Sequence, residues 1–201
     1  MILENKLGIT DQIALAKAEE KISKQKAKQL FDSGDIDQVG VGKFSGLAYI
    51  HAYLFEDIYP FAGTIRKVNI AKGNFRFASV MYLHAALKHI DAMPQATYEQ
   101  IIEKYVEMNV AHPFREGNGR ATRIWLDVML KNEIQQVVDW NRVDKEEYLC
   151  AMQRSPVKDL EIKCLLQAAL TDQIHDRALY MKGIDISYYF EGYSEFKTED
   201  L

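Results

Sequence analysis

Two cysteines and four prolines in 201 residues, no long apolar run and no surplus of positive charge set the first limits on this chain. Cys150 and Cys164 lack CxxC spacing, which excludes a disulfide scaffold or a structural zinc site. Each stands in an apolar-periodic stretch and is expected as a buried free thiol. With 25 Lys+Arg against 29 Asp+Glu the net charge is −4, so no basic field holds a polyanion and nucleic acid is excluded as the principal partner. Charges interrupt every apolar run in the first thirty residues. Neither a signal peptide nor a membrane anchor is therefore expected, and the cytoplasm is the expected compartment. With 48% hydrophobic residues and neither a repeat nor a low-complexity linker, residues 1–201 read as one globular domain.

The periodicity predicts a mainly α fold. A long first helix starts at the Thr10-Asp11 cap and stops at Gly34, inside an N-terminal region 1–40. A second helix runs from Lys43 to Ile58 and ends before Pro60. Further helices are expected at 79–92, 97–111, 119–132, 144–154 and 157–178. A short terminal helix, 186–191, would be capped by Asp185 and stopped by Gly192. Between Thr64 and Ala78 the pattern alternates around a turn signal at Gly73-Asn74, which predicts one β-hairpin over 64–78.

Several motif fragments fail. Asp35-Ile36-Asp37 opens like a calcium loop, but its fifth position is Val39 and its twelfth is Gly46. No GxGxxG fingerprint or GxxxxGK[ST] loop occurs. His51, His84, His89 and His175 have no metal-type spacing and are expected as ordinary surface or core residues.

The densest chemistry lies in residues 112–123, HPFREGNGRATR. Pro113 disfavours helix at His112, so the imidazole belongs at the end of a helix rather than on its face. Gly117-Asn118-Gly119 enters a new helix, where successive backbone N–H groups at the positive end form a seat for phosphate. Arg120 and Arg123, three apart, project from one side of the first turn and suit phosphate oxygens. Glu116 supplies a hard oxygen of the kind that holds Mg²⁺ together with phosphates. Eight specified positions within about twelve, each met by chance roughly once in twenty, make coincidence negligible.

HPFREGNGR followed by ATR resembles the signature of Fic-domain proteins, and YPFAGTIRKVNI at 59–70 resembles that family's entry into its β-hairpin flap. The resemblance implies an all-α Fic core over about 43–178, with flap 64–78 and signature loop 112–123. It implies transfer of AMP from ATP to a Tyr, Thr or Ser hydroxyl of a target protein, with pyrophosphate released. His112 would be the base and Glu116 would hold Mg²⁺. Gly117, Asn118, Gly119 and Arg120 would form the anion hole, and Arg123 would meet the γ-phosphate. Phe114 would anchor the loop in the core. A kinase-like variant carries Lys at the second glycine of the motif; here that residue is Gly119, which favours nucleotidyl transfer. The flap implied for target docking comprises Thr64, Ile65, Arg66, Lys67, Val68, Lys72, Gly73 and Asn74.

Ser187-Tyr188-Tyr189-Phe190-Glu191-Gly192 resembles the family's inhibitory motif. Ser187 and Glu191 are four apart and share a helical face. The resemblance implies a C-terminal inhibitory helix over 185–192 in which Glu191 pairs with Arg123, with Ser187 and Gly192 as the other motif residues. Glu191 is also a candidate for orienting water in removal of AMP. Tyr188, Tyr189 and Tyr193 are candidate sites of self-modification. Two other readings stay open on the sequence: a regulatory module that binds nucleotide without turnover, and transfer of a different phosphate-linked group by the same site. A homo-oligomer through the first helix also stays open.

Overall fold

The computed structural model describes residues 2–73 and 75–201. The fold is the expected all-α one. Eight α-helices are present among the described residues: α1 (Gln12–Asp32), α2 (Phe44–Phe55), α3 (Val80–Ala92), α4 (Tyr98–Ala111), α5 (Asn118–Ile134), α6 (Lys145–Arg154), α7 (Leu160–Ala168) and α8 (Arg177–Phe190). α3 to α6 lie within two residues of the sequence expectation.

α5 is the centre of the bundle, packed by α2, α4 and α8. It is buried on nearly every side, from Ala121 through Trp125 to Leu130, which is why its polar residues Asn118, Arg120, Thr122 and Arg123 are buried too. α1 packs on α2 and α8. Its inner face is charged as well as apolar: Glu19, Glu20 and Lys24 are all buried. Lys24 is flanked by Glu20 at 2.9 Å and Asp185 at 3.1 Å, so the buried charges are compensated.

Four expectations are corrected. The hairpin is much shorter than 64–78: β1 (Ala71–Lys72) pairs antiparallel with β2 (Phe75–Arg76), register Ala71↔Arg76 and Lys72↔Phe75. Asn74, expected at its tip, lies outside the described residues. Beyond one bond from the Phe77 amide to the Ile70 carbonyl, residues 64–69 do not extend the ladder, because Arg66 fastens them to the end of α4. Its Nε donates to the His112 carbonyl at 2.8 Å, and Nη1 and Nη2 donate to the carbonyls of Val68 and Ala78. The expected helix 157–178 is interrupted: after α7, β4 (Leu170–Thr171) pairs with β3 (Val137–Val138), and α8 begins only after Asp176 caps the Leu179 amide. The expected terminal helix is the end of α8, which starts nine residues before 186. Asp185 is no cap; its Oδ1 accepts from the amide and hydroxyl of Thr198 at 2.9 and 2.6 Å. Finally, Cys150 and Cys164 are exposed, not buried, because they fall on the outer faces of α6 and α7.

No described helix is long and apolar enough to cross a membrane.

Candidate active site

A cleft of about 790 Å³ opens between the hairpin, the loop joining α4 to α5, α6, and the residues after α8. That volume suits a nucleotide. A second cavity, between α5 and α8, holds only about 60 Å³ and is too small for one.

His112 ends α4 in the left-handed region at φ 48°, outside the right-handed helical conformation that Pro113 disfavours in its predecessor. Its Nδ1 lies 3.2 Å from the Asn109 carbonyl. A carbonyl only accepts, so Nδ1 carries the proton and Nε2 keeps the lone pair. The ring stacks on Phe77 at 3.6 Å between centroids. Burial drives its pKa down to about 4, against the opposing pull of the Asn109 carbonyl and Glu191. At neutral pH it is an uncharged base, with a lower pKa than the near-neutral value expected from its residue type.

The loop that follows is rigid by construction. Phe114 is buried with His51 stacked on it at 3.8 Å. Asn118 clamps the same residue, accepting from the Phe114 amide at 2.8 Å and donating to its carbonyl at 2.9 Å. Its side chain braces the loop, and the residue lines the cleft between Gly117 and Gly119. Gly117 sits at φ 75°, and a Cβ there would lie 2.5 Å from Phe55, so only glycine fits this entry to α5.

His51, expected as an ordinary histidine, supports the loop from behind. Its Nδ1 accepts from the Gly63 amide at 2.9 Å, so Nε2 donates to the Glu116 carbonyl at 2.8 Å. Burial lowers its pKa to about 3, which keeps it neutral.

Glu116 accepts from the Gly117 amide at 2.9 Å and from Arg120 at 3.2 Å, with its side chain 44% exposed to the cleft. Arg120 is buried and donates from Nη1 to Glu19 of α1. Glu19 also accepts from the hydroxyls of Tyr59 and Tyr193. Nothing in the sequence flagged Glu19, since KAEEK reads as a solvated helix face. His51 left a faint signal, a polar residue on the apolar side of α2.

Arg123 is held by the end of α8. Nε donates to Ser187 Oγ at 2.7 Å, and Nη2 donates to the Ser187 carbonyl and to Glu191 Oε1, both at 2.9 Å. Glu191 Oε2 lies 3.3 Å from Lys72 Nζ on the hairpin. Burial alone would raise the Glu191 pKa, but Arg123 and then Lys72 outweigh it and hold the carboxyl at about 2. Gly192 follows at φ 93°, a conformation that favours glycine.

The expected docking residues do not form one surface. Arg66 is buried, Ile65 packs on the core, and Thr64, although exposed, donates its hydroxyl to the Phe61 carbonyl. Lys67 and Val68 are exposed beside the hairpin, and Lys72 and Gly73 lie on it. Of the three tyrosines, Tyr188 is fully buried, Tyr193 is tied to Glu19, and Tyr189 is half exposed.

Residues 43–130 match the profile of the Fic/DOC family. Protein adenylyltransferase VbhT of Bartonella schoenbuchensis is 32% identical over 159 residues, covering 73% of this chain. The chain spans about a third of VbhT's length, 32% of it. The probable protein adenylyltransferase y4lH of Sinorhizobium fredii is 29% identical over 171 residues, covering 79% of this chain and 85% of that protein. Among solved structures, the BepC protein of Bartonella tribocorum with bound AMPPNP superposes with a TM-score of 0.68 at 20% identity, covering 86% of this chain and 94% of that one. An N-terminal Fic domain from Bartonella quintana with bound ADP gives 0.68 at 20% identity, covering 84% of this chain and 90% of that one. By its signature loop, its helical fold and the match over residues 43–130, this chain carries a Fic/DOC domain.

Proposed function

We propose that this protein is an adenylyltransferase that moves AMP from ATP to a hydroxyl side chain of a target protein and is restrained by its own Glu191. The observation that carries the reading is the juxtaposition of a neutral His112 with Arg120, Arg123 and the N-terminus of α5 in one cleft. The names of the relatives, several of them protein adenylyltransferases, point the same way.

His112 Nε2 takes the proton from the target Tyr, Thr or Ser hydroxyl as its oxygen attacks the α-phosphorus. The bond to the β-phosphate oxygen breaks, and pyrophosphate leaves with the electron pair. Such a reaction needs positioning and charge neutralisation more than covalent help from the protein. The amides from Gly117 to Gly119 and Arg120 receive phosphate oxygens, and Arg123 receives the terminal phosphate once Glu191 leaves it. Glu116 fits Mg²⁺ as a single carboxylate acting with phosphates. Among the described residues no cluster of three or more His, Cys, Asp or Glu side chains suits a metal on its own. When bound, the ion neutralises phosphate charge.

Glu191 is read as the brake because it occupies the Arg123 edge that a terminal phosphate needs. The same carboxylate would orient a water for the reverse removal of AMP. Self-modification falls first on Tyr189; adenylyl on Tyr188 or Tyr193 would mean that the end of α8 has left its seat.

The test is incubation of the Glu191→Gly variant and a cell lysate with ATP labelled either on adenine or on the γ-phosphate. Transfer of the adenine label alone is expected. Transfer of the γ-label makes the protein a kinase-like relative, and transfer of neither favours a silent binding module.

A further inference from the structure

Two exposed cations stand in the cleft beside its two buried arginines. Lys72, Arg115, Arg120 and Arg123 line it against only two carboxylates, Glu116 and Glu191, although the whole chain is net acidic at −4. Each carboxylate has one oxygen within ion-pair distance of an arginine. The other two cations are exposed. Arg115 projects from the signature loop and has no carboxylate within ion-pair distance among the described residues. Lys72 projects from β1 with a side chain 68% exposed, and its one carboxylate partner is Glu191. Lys67 and Arg76, exposed and unpaired among the described residues, extend the basic surface along the hairpin.

We propose that Lys72 and Arg115 read acidic side chains next to the acceptor hydroxyl, so that the target class is an extended acidic segment laid along the hairpin edge. This inference rests on the transfer reading above and names the substrate class for that site. Two arguments carry it. Charge complementarity selects an acidic segment and rejects a basic one, since like charge at a cleft mouth is repulsive. Lys72 also has two competing uses: while Glu191 restrains Arg123, Lys72 is bound to Glu191, and when Glu191 leaves, Lys72 loses its one partner beside His112 and becomes available. A carboxylate of the target then replaces that of the brake. The edge of β1 offers backbone pairing to any extended chain, so selection falls to the side chains that flank it.

The test uses the full chain carrying Glu191→Gly and two fluorescein-labelled peptides. One has a central Tyr flanked by Glu residues, and the other has the same Tyr flanked by Lys. Fluorescence anisotropy should show the Glu peptide binding about tenfold more tightly at low salt, with the difference shrinking as salt rises. Lys72→Glu with Arg115→Glu should invert the preference while ATP affinity by calorimetry stays within about threefold. Equal affinity for the two peptides, or an unchanged order in the reversed variant, overturns the proposal. So does a loss of ATP affinity of about tenfold or more in that variant, which would assign these cations to the nucleotide. Failure of the transfer reading looks different: neither peptide nor any lysate protein gains adenylyl, whatever the binding preference.

Discussion

Gly119 and Glu191 share one space. A Cβ built on Gly119 would lie 2.4 Å from Glu191 Oε1, so the carboxylate lies on Arg123 in the space that a side chain at position 119 would take. Gly119→Ala should therefore cost stability when Glu191 is present and little when it is Gly. A double-mutant cycle by urea unfolding should give a coupling energy of about 1–3 kcal/mol. Additive losses would separate the two residues.

The Glu191 ion pair also sets a pH dependence. Its carboxyl is held at about 2 in the folded chain against 4.5 as the ordinary value. A group depressed in this way contributes stability that is fully present above pH 4.5 and lost as pH falls toward 2. Urea unfolding of wild type and Glu191→Gln should differ by about 1–3 kcal/mol at pH 6. The two curves should converge between pH 4.5 and 2.5; a constant gap would remove the ion pair as its source.

Glu19 compensates a buried guanidinium. Its removal leaves Arg120 with only the half-exposed Glu116 as counter-charge. Glu19→Ala is expected to destabilise by about 3–5 kcal/mol, the range for breaking a buried pair by deleting one partner. Thermal unfolding checks this, and a loss below about 1 kcal/mol would mean that Arg120 finds another partner.

Burial makes the imidazole of His112 a base that is neutral well below physiological pH. A proton NMR titration of the resting protein should give it a midpoint near 4. A midpoint near 6.5 would show the ring to be far more solvated than its stacking on Phe77 implies. Behind it, His51→Ala removes both the Glu116 and Gly63 hydrogen bonds and the stack on Phe114. It should cost about 2–4 kcal/mol, read by the same unfolding measurement.

What the sequence made legible follows from the range of the forces involved. The helices around the signature loop were readable because their apolar periods and caps are local, and the loop itself because its residue types are dense and contiguous. Alternation at 64–70 signals a longer hairpin than forms, because Arg66 is pulled onto the carbonyl of His112, 46 residues away. Glu19 was invisible for a similar reason. Its partner Arg120 is 101 residues away, and only the packing of α1 brings them together. The start of α8 is hidden in the sequence because the apolar pattern runs on through 170–171, where a two-residue strand pairing takes over. Cys150 and Cys164 show the limit of residue-type expectations, since thiols favour burial on average but these two lie on outward helix faces.

The central claim is that His112 transfers AMP and that Glu191 holds the transfer back. The most direct measurement is the intact mass of wild type, Glu191→Gly and Glu191→Gly with His112→Ala after incubation with ATP and Mg²⁺. The account predicts adenylyl gain in Glu191→Gly, little in wild type, and none once His112 is gone. Equal gain with and without His112, a gain of phosphoryl mass, or wild type as fast as Glu191→Gly would contradict it.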